Sequence, residues 1–146
     1  MKTLSILSLA IFTLLFTGCD ETKKVIEVAG TVQLSGNYSV IKAGNTVIKG
    51  DALSFTFSAL DNSINGNTGC NSFFGNYTLD AFALSFGDLA VSEKYCDEPI
   101  MESERALLGA LNNTGSYMLK DRVLTLYSKE DRAVLLTAKK TITEGN

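Results

Sequence analysis

The stretches YTLDAFALSF (Tyr77–Phe86) and YMLKDRVLTL (Tyr117–Leu126) lie forty residues apart and space their large apolar residues alike. Tyr77, Leu79, Leu84 and Phe86 correspond to Tyr117, Leu119, Leu124 and Leu126. Pairing Leu79 with Leu84 puts Tyr77 opposite Phe86 and leaves Ala81-Phe82 as a two-residue loop. Pairing Leu119 with Leu124 centres the second loop on Asp121-Arg122 in the same way. Side chains alternate across a strand, so each pairing gathers an aromatic ring and leucines on one face. The spacing therefore predicts two antiparallel hairpins of one design, each with a buried side. Two copies do not make a solenoid or a propeller, which need at least three units.

Outward from the hairpins, the rest of the chain reads as further short strands and one helix. Leu53 to Ser58 alternates apolar and polar residues without a break, the pattern of a half-buried strand. Asp61-Asn62-Ser63 reads as a turn, Ile64 as a returning strand, and Asn65 to Gly69 as a tight connection with positions suited to positive φ. Val32 to Ile48 predicts short strands punctuated by Gly36-Asn37 and Gly44-Asn45, and Ala133 to Thr137 a last strand. The helix lies between the hairpins. Asp97 is placed to cap it, Pro99 fits its first turn, and Asp97, Glu98 and Glu102 favour the positive end of its dipole. Ile100, Leu107, Leu108 and Leu111 predict its buried stripe, Gly109 a close approach to the sheet, and Asn112 to Gly115 its end.

Composition sets limits on function. The chain has 146 residues, enough for one domain, and no histidine, the side chain most used for proton transfer and metal binding. Zinc chemistry and Ser-His-Asp hydrolysis are therefore not expected. The net charge is −3, with basic residues scattered and Lys23-Lys24 and Lys139-Lys140 the only doublets, which argues against a nucleic-acid partner. Asp97, Glu98, Glu102 and Glu104 are read as helix-start acids, not as a cation site, since calcium loops need more ligands at defined spacing. Gly66-Asn67-Thr68-Gly69 lacks the Lys-Ser/Thr end of a phosphate loop. No nucleophile, base and orienting group form a recognisable set, so no enzymatic reaction, cofactor or metal is expected.

The N-terminus carries a delivery signal. Met1-Lys2 precedes a run from Leu4 to Phe16 that is apolar apart from Ser5, Ser8 and Thr13, and Phe16-Thr17-Gly18-Cys19 follows. The run is too short to span a bilayer, which takes about 20 apolar residues. Its end resembles the bacterial lipoprotein box, which implies a cleaved signal helix over 1–18 and diacylglycerol on Cys19. The competing reading is a plain secretory signal with Cys19 a bystander. Acyl chains contribute about 0.8 kcal/mol per buried CH₂, so two or three would hold the protein on a membrane. Residues 19–30 then form a tether, 31–142 the domain and 143–146 a loose end.

Gly69-Cys70-Asn71, Phe74-Gly75-Asn76-Tyr77, Leu84-Ser85-Phe86-Gly87-Asp88-Leu89, Cys96, and Pro99 to Glu104 running into Ala106 to Leu111 come in this order. This combination resembles the META domain family, that of HslJ-like heat-shock lipoproteins. The resemblance implies an α+β, mainly β fold: a small, strongly curved antiparallel sheet or barrel with one helix packed on it. It implies a lipid-anchored protein of the bacterial cell envelope, on the inner or outer membrane. Members have no established reaction, and some are linked to heat induction and antibiotic tolerance. Where the family often has tryptophan this chain has Tyr38, and where it has threonine with a basic residue this chain has Ser92-Glu93. With Cys19 taken by lipid, Cys70 and Cys96 form an even pair for a disulfide in an oxidising compartment, the alternative being two buried thiols. Phe55, Phe57, Phe73, Phe74, Tyr77 and Phe86 make either the core or the lining of a hydrophobic pocket. The second option makes the protein a carrier or pilot-like lipoprotein for lipid or a hydrophobic peptide.

Overall fold

A computed structural model of the chain describes residues 30–50 and 52–141. The signal segment 1–18, Cys19 with nearly all of the tether, and the end 143–146 lie outside the described residues. The strands are β1 (Gly36–Ala43), β2 (Thr46–Val47), β3 (Ser54–Ser58), β4 (Ser63–Asn67), β5 (Ser72–Asp80), β6 (Ala83–Phe86), β7 (Ala90–Val91), β8 (Thr114–Lys120), β9 (Val123–Ser128) and β10 (Val134–Lys140). One helix, α1 (Glu98–Asn112), stands between β7 and β8. All pairings are antiparallel. The path β10-β9-β8-β6-β5-β4-β3-β1 is closed by pairing of β1 with β10, so eight strands form a barrel, with β2 added to β1 and β7 to β5.

Both hairpins have the registers that the repeated spacing predicts. Tyr77 lies opposite Phe86 and Leu79 opposite Leu84. Tyr117 lies opposite Leu126 and Leu119 opposite Leu124. Lacking glycine, the loops place Ala81, Asp121 and Arg122 at φ of 54°, 50° and 64°. The alternation in Leu53–Ser58 buries Leu53, Phe55 and Phe57 and turns the polar residues outward.

Other elements depart from the sequence reading. Asn65-Gly66-Asn67 belongs to β4 and is not a connection. A Cβ on Gly66 would stand 2.4 Å from the Ser54 carbonyl oxygen and 2.6 Å from the Phe73 ring, so glycine here lets β4 pass between its neighbours. Residues 30–34 are helical, where a tether and a strand start were expected. Asp97 occupies the N-cap position, but its carboxylate makes no capping bond. Such a bond needs the N–H of the second or third helical residue; Pro99 has none, and that of Ile100 goes to the Asp97 carbonyl.

The strands alternate in direction, so the barrel has two distinct ends. One, the entry end, gathers residues 30–35, the β3–β4 loop (59–62), the β5–β6 loop (81–82) and the β8–β9 loop (121–122). Leu34 is fully buried there, and its carbonyl accepts a 2.7 Å bond from the Tyr38 hydroxyl. Tyr38 thus buries its ring and still satisfies its polar tip. Burial, with Tyr117 and Tyr77 adding to it, pushes the Tyr38 phenol well above its usual range. Ser35 Oγ donates to the Phe57 carbonyl, and Lys140 Nζ donates to that of Gln33 from 5.8 Å above the Tyr38 ring centroid.

At the opposite, helix end, α1 packs against β1, β6, β9 and β10. Leu107 and Leu111 are fully buried and Leu108 partly so, while Ile100 is 38% exposed, beside Val47, Ile48 and Leu53. Gly109 does not approach the sheet, since a Cβ built on it meets nothing within 4 Å. Gly109→Ala should therefore stabilise the fold by about 1 kcal/mol, read as a higher urea midpoint at unchanged slope. A loss of stability would mean that the helix face around Gly109 is occupied.

Candidate functional site

The helix end holds a buried polar cluster built from three separate segments. Thr68 to Asn71 forms the turn between β4 and β5. Thr68 N–H donates to the Asn71 carbonyl at 2.8 Å, Asn71 N–H donates to Thr68 Oγ1 at 2.8 Å, and Gly69 takes φ 87° between them. This geometry turns the Asn71 side chain inward, where it is 2% exposed. Its Nδ2 donates to Glu104 Oε2 at 2.9 Å, to Glu104 Oε1 at 3.2 Å and to the Lys94 carbonyl at 3.1 Å. Its Oδ1 accepts from Lys94 N–H and Ser92 Oγ, each at 2.8 Å. The carboxamide thereby engages both main-chain groups of Lys94, as a neighbouring strand's backbone would.

Glu104 is 7% exposed, and its partners are neutral: the Asn71 amide and the Thr68 hydroxyl, which donates to Oε2. A buried carboxylate is tolerated only when hydrogen-bonded, and bonds to a charged acceptor are the stronger kind. Of the four acids assigned to the helix start, Asp97, Glu98 and Glu102 are exposed, with Glu98 paired to Arg105. Glu104 does a different job. It joins α1 to the β4–β5 turn and, through Asn71, to the 92–94 segment.

Cys70 and Cys96 are bonded, with sulfurs 2.08 Å and Cα atoms 5.9 Å apart. The bridge ties the same turn to the same segment two residues beyond Lys94. The Asn71 side chain and the disulfide thus hold residues 92–96, a stretch with no regular structure of its own, together with the Ser92 N–H that donates to the Ser72 carbonyl at 3.0 Å. The Ser92 hydroxyl accepts the Ser72 N–H and donates to Asn71 Oδ1.

Beside the cluster lies an open groove of about 580 Å³, lined by Asn71 and Glu104, by the apolar Leu89, Val91, Met101 and Leu108, and by the 92–95 segment with Glu93, Lys94 and Tyr95. Tyr95 is 87% exposed. The aromatic residues expected as core or pocket lie elsewhere. Phe55, Phe57, Phe73 and Tyr77 are buried in the barrel, Phe86 packs partly buried against them, and Phe74 points outward, 52% exposed. Phe57 meets Phe55, Tyr77 and Phe86 at centroid distances of 5.6, 5.0 and 6.0 Å, and Tyr38 stacks on Phe55 at 5.4 Å. An eight-stranded barrel has an interior just wide enough for side chains to fill, and these rings fill it.

Among the described residues, no group of three or more cysteine, aspartate or glutamate side chains is placed to hold a metal ion. No described helix is long and apolar enough to cross a membrane. The Asn71–Glu104 pairing was not foreseen, although a signal was present. Glu104 precedes Leu107, Leu108 and Leu111 by three, four and seven residues, which sets it on the buried stripe.

The META domain family model matches residues 31–141 of the chain. No curated protein matches. Among solved structures, the chain is similar to a protein from Burkholderia xenovorans determined by NMR, at 23% identity over 78% of this chain and 88% of that one, with a TM-score of 0.63. A second NMR structure is similar at 22% identity, covering 75% and 93% of the two chains, TM-score 0.60. A DUF4847 family protein from Bacteroides vulgatus is similar at 14% identity, covering 77% and 97%, TM-score 0.57. At these identities the likeness concerns the fold.

Proposed function

The chain belongs to the META domain family, and from that premise we propose that it is a lipid-anchored contact module of the bacterial cell envelope with no reaction of its own. The observation that carries this reading is the closure of the polar cluster. Asn71 directs all its side-chain bonds at Lys94, Ser92 and Glu104, and Glu104 is held by Asn71 and Thr68. Groups so engaged stiffen a surface; a catalytic base needs reach to a substrate proton. The stiffened surface is the groove below Tyr95, where Leu89, Val91, Met101 and Leu108 stand beside Ser92, Glu93 and Lys94, a mixed lining that suits a partner's apolar and polar side chains together. The partner remains a protein or hydrophobic ligand of the envelope, and the contact contributes to heat or antibiotic tolerance. The carrier reading has less support, because the rings that would line its cavity pack on one another.

Cys19 and the apolar run before it support the anchor. Cys19→Ala is expected to move the protein from the membrane to the soluble fraction, with its thermal transition unchanged. Continued fractionation with membranes would overturn anchoring at that residue.

A further inference from the structure

We propose that the entry end of the barrel is a lipid-facing surface, on which Val32, Leu60 and Phe82 rest against the bilayer that holds acylated Cys19. The inference rests on the lipid-anchor reading and adds an orientation to it. Three separate segments carry these residues: the helical 30–34 piece, the β3–β4 loop and the β5–β6 loop. Strand direction brings all three to one end. Their exposures are 62%, 100% and 76%. Loop tips are ordinarily built from Gly, Pro, Asn, Asp and Ser, so a leucine and a phenylalanine at neighbouring tips, exposed among the described residues, need a reason.

The chain itself names the occupant. The first described residue, Gly30, sits at this end, where a Cβ on it would lie 3.0 Å from Leu79 and 3.4 Å from the Tyr117 hydroxyl oxygen. The segment leading to Cys19 therefore joins the described chain between the two hairpins, at the end that carries Leu60 and Phe82. Residues 20–29 would span at most about 36 Å if fully extended, so this end is confined near the anchoring membrane. A short tether raises the effective concentration to the millimolar range, which makes a contact too weak for a free protein count.

Lys120, Arg122, Lys139 and Lys140 stand at the same end against Asp61, Asp80 and Asp121. The face is thus nearly neutral, and apolar contact, not attraction to anionic headgroups, carries the docking. The Asn71–Glu104 groove, at the opposite end, is turned away from the lipid and toward soluble partners.

The test uses the full chain purified with its lipid and reconstituted into vesicles of phosphatidylethanolamine and phosphatidylglycerol doped with a brominated lipid. An environment-sensitive fluorophore is introduced as an unnatural amino acid at position 60, 82 or, for comparison, 95. Emission at 60 and 82 should shift to the blue and be quenched, with no change at 95, and high salt should not reverse it. In a Leu60→Ser/Phe82→Ser variant, a probe at position 32 should lose its quenching while the thermal transition is kept. The mass of the N-terminal peptide reports on Cys19 separately. Acylated protein with unquenched probes at 60 and 82, or with equal quenching at 95, overturns the orientation alone; unacylated Cys19 overturns the anchor reading on which it rests.

Discussion

Asn71→Ala is expected to destabilise the fold by about 3 to 5 kcal/mol, the range found when one partner of a buried charged contact is removed. The substitution deletes the bonds to Lys94 and Ser92 together with both bonds to the Glu104 carboxylate. Its cost lies mostly in what is left behind. Glu104 would remain buried with the Thr68 hydroxyl as its remaining side-chain partner, and an unsatisfied buried carboxylate is more costly than its hydrogen bonds were favourable. Replacing both partners should therefore cost less than the sum of the single changes. Asn71→Ala combined with Glu104→Leu, measured by urea unfolding as a double-mutant cycle, should give a favourable coupling of about 1 to 3 kcal/mol. If the two losses simply add, the Asn71–Glu104 contact does not hold the helix end together. Glu104→Gln separates charge from shape, since it keeps an acceptor for Asn71 but adds a donor facing the Asn71 amide.

What the sequence reveals here depends on how local the cause is. The hairpins Tyr77–Phe86 and Tyr117–Leu126 were legible to the residue, because alternation and a two-residue loop fix a register without reference to the rest of the chain. Closure of the barrel was not legible from alternation. It depends on β1 meeting β10, with Tyr38 opposite Lys140 across a hundred residues, and only the family resemblance pointed to it. Gly66 was misread as turn chemistry because the same residue serves a turn and a close strand approach, and only the Phe73 ring beside it decides which. Glu104 was misread for a similar reason. An acid in the first two turns of a helix has a sufficient local explanation in the dipole, which hid its place on the apolar stripe. Asn71, at the other side of the contact, entered only as one letter of the Gly69-Cys70-Asn71 motif. The site consists of two residues, each locally well explained, whose partnership exists only across the fold.

Breaking the Cys70–Cys96 bridge is expected to cost about 3.5 kcal/mol in the chain-entropy model for a loop of 26 residues. The native state should lose little ordered structure beyond residues 92–96, because β5 and α1 remain packed on the barrel on either side. A Cys70→Ala/Cys96→Ala chain should therefore unfold at lower urea with its barrel core intact, and hydrogen exchange should quicken in the 92–96 backbone well before it does in β5. The two fastenings of that segment are coupled. With the bridge present, Asn71 needs to hold Lys94 only against local motion; without it, the same bonds must close the whole loop from β7 to α1. Asn71→Ala in the bridge-free background should then exceed the sum of the separate losses, or leave no folded population at all. The opposite result, in which loss of the bridge leaves both stability and exchange at Lys94 unchanged, would mean that the carboxamide alone sets the loop. The groove under Tyr95 would in that case keep its shape in a reducing compartment.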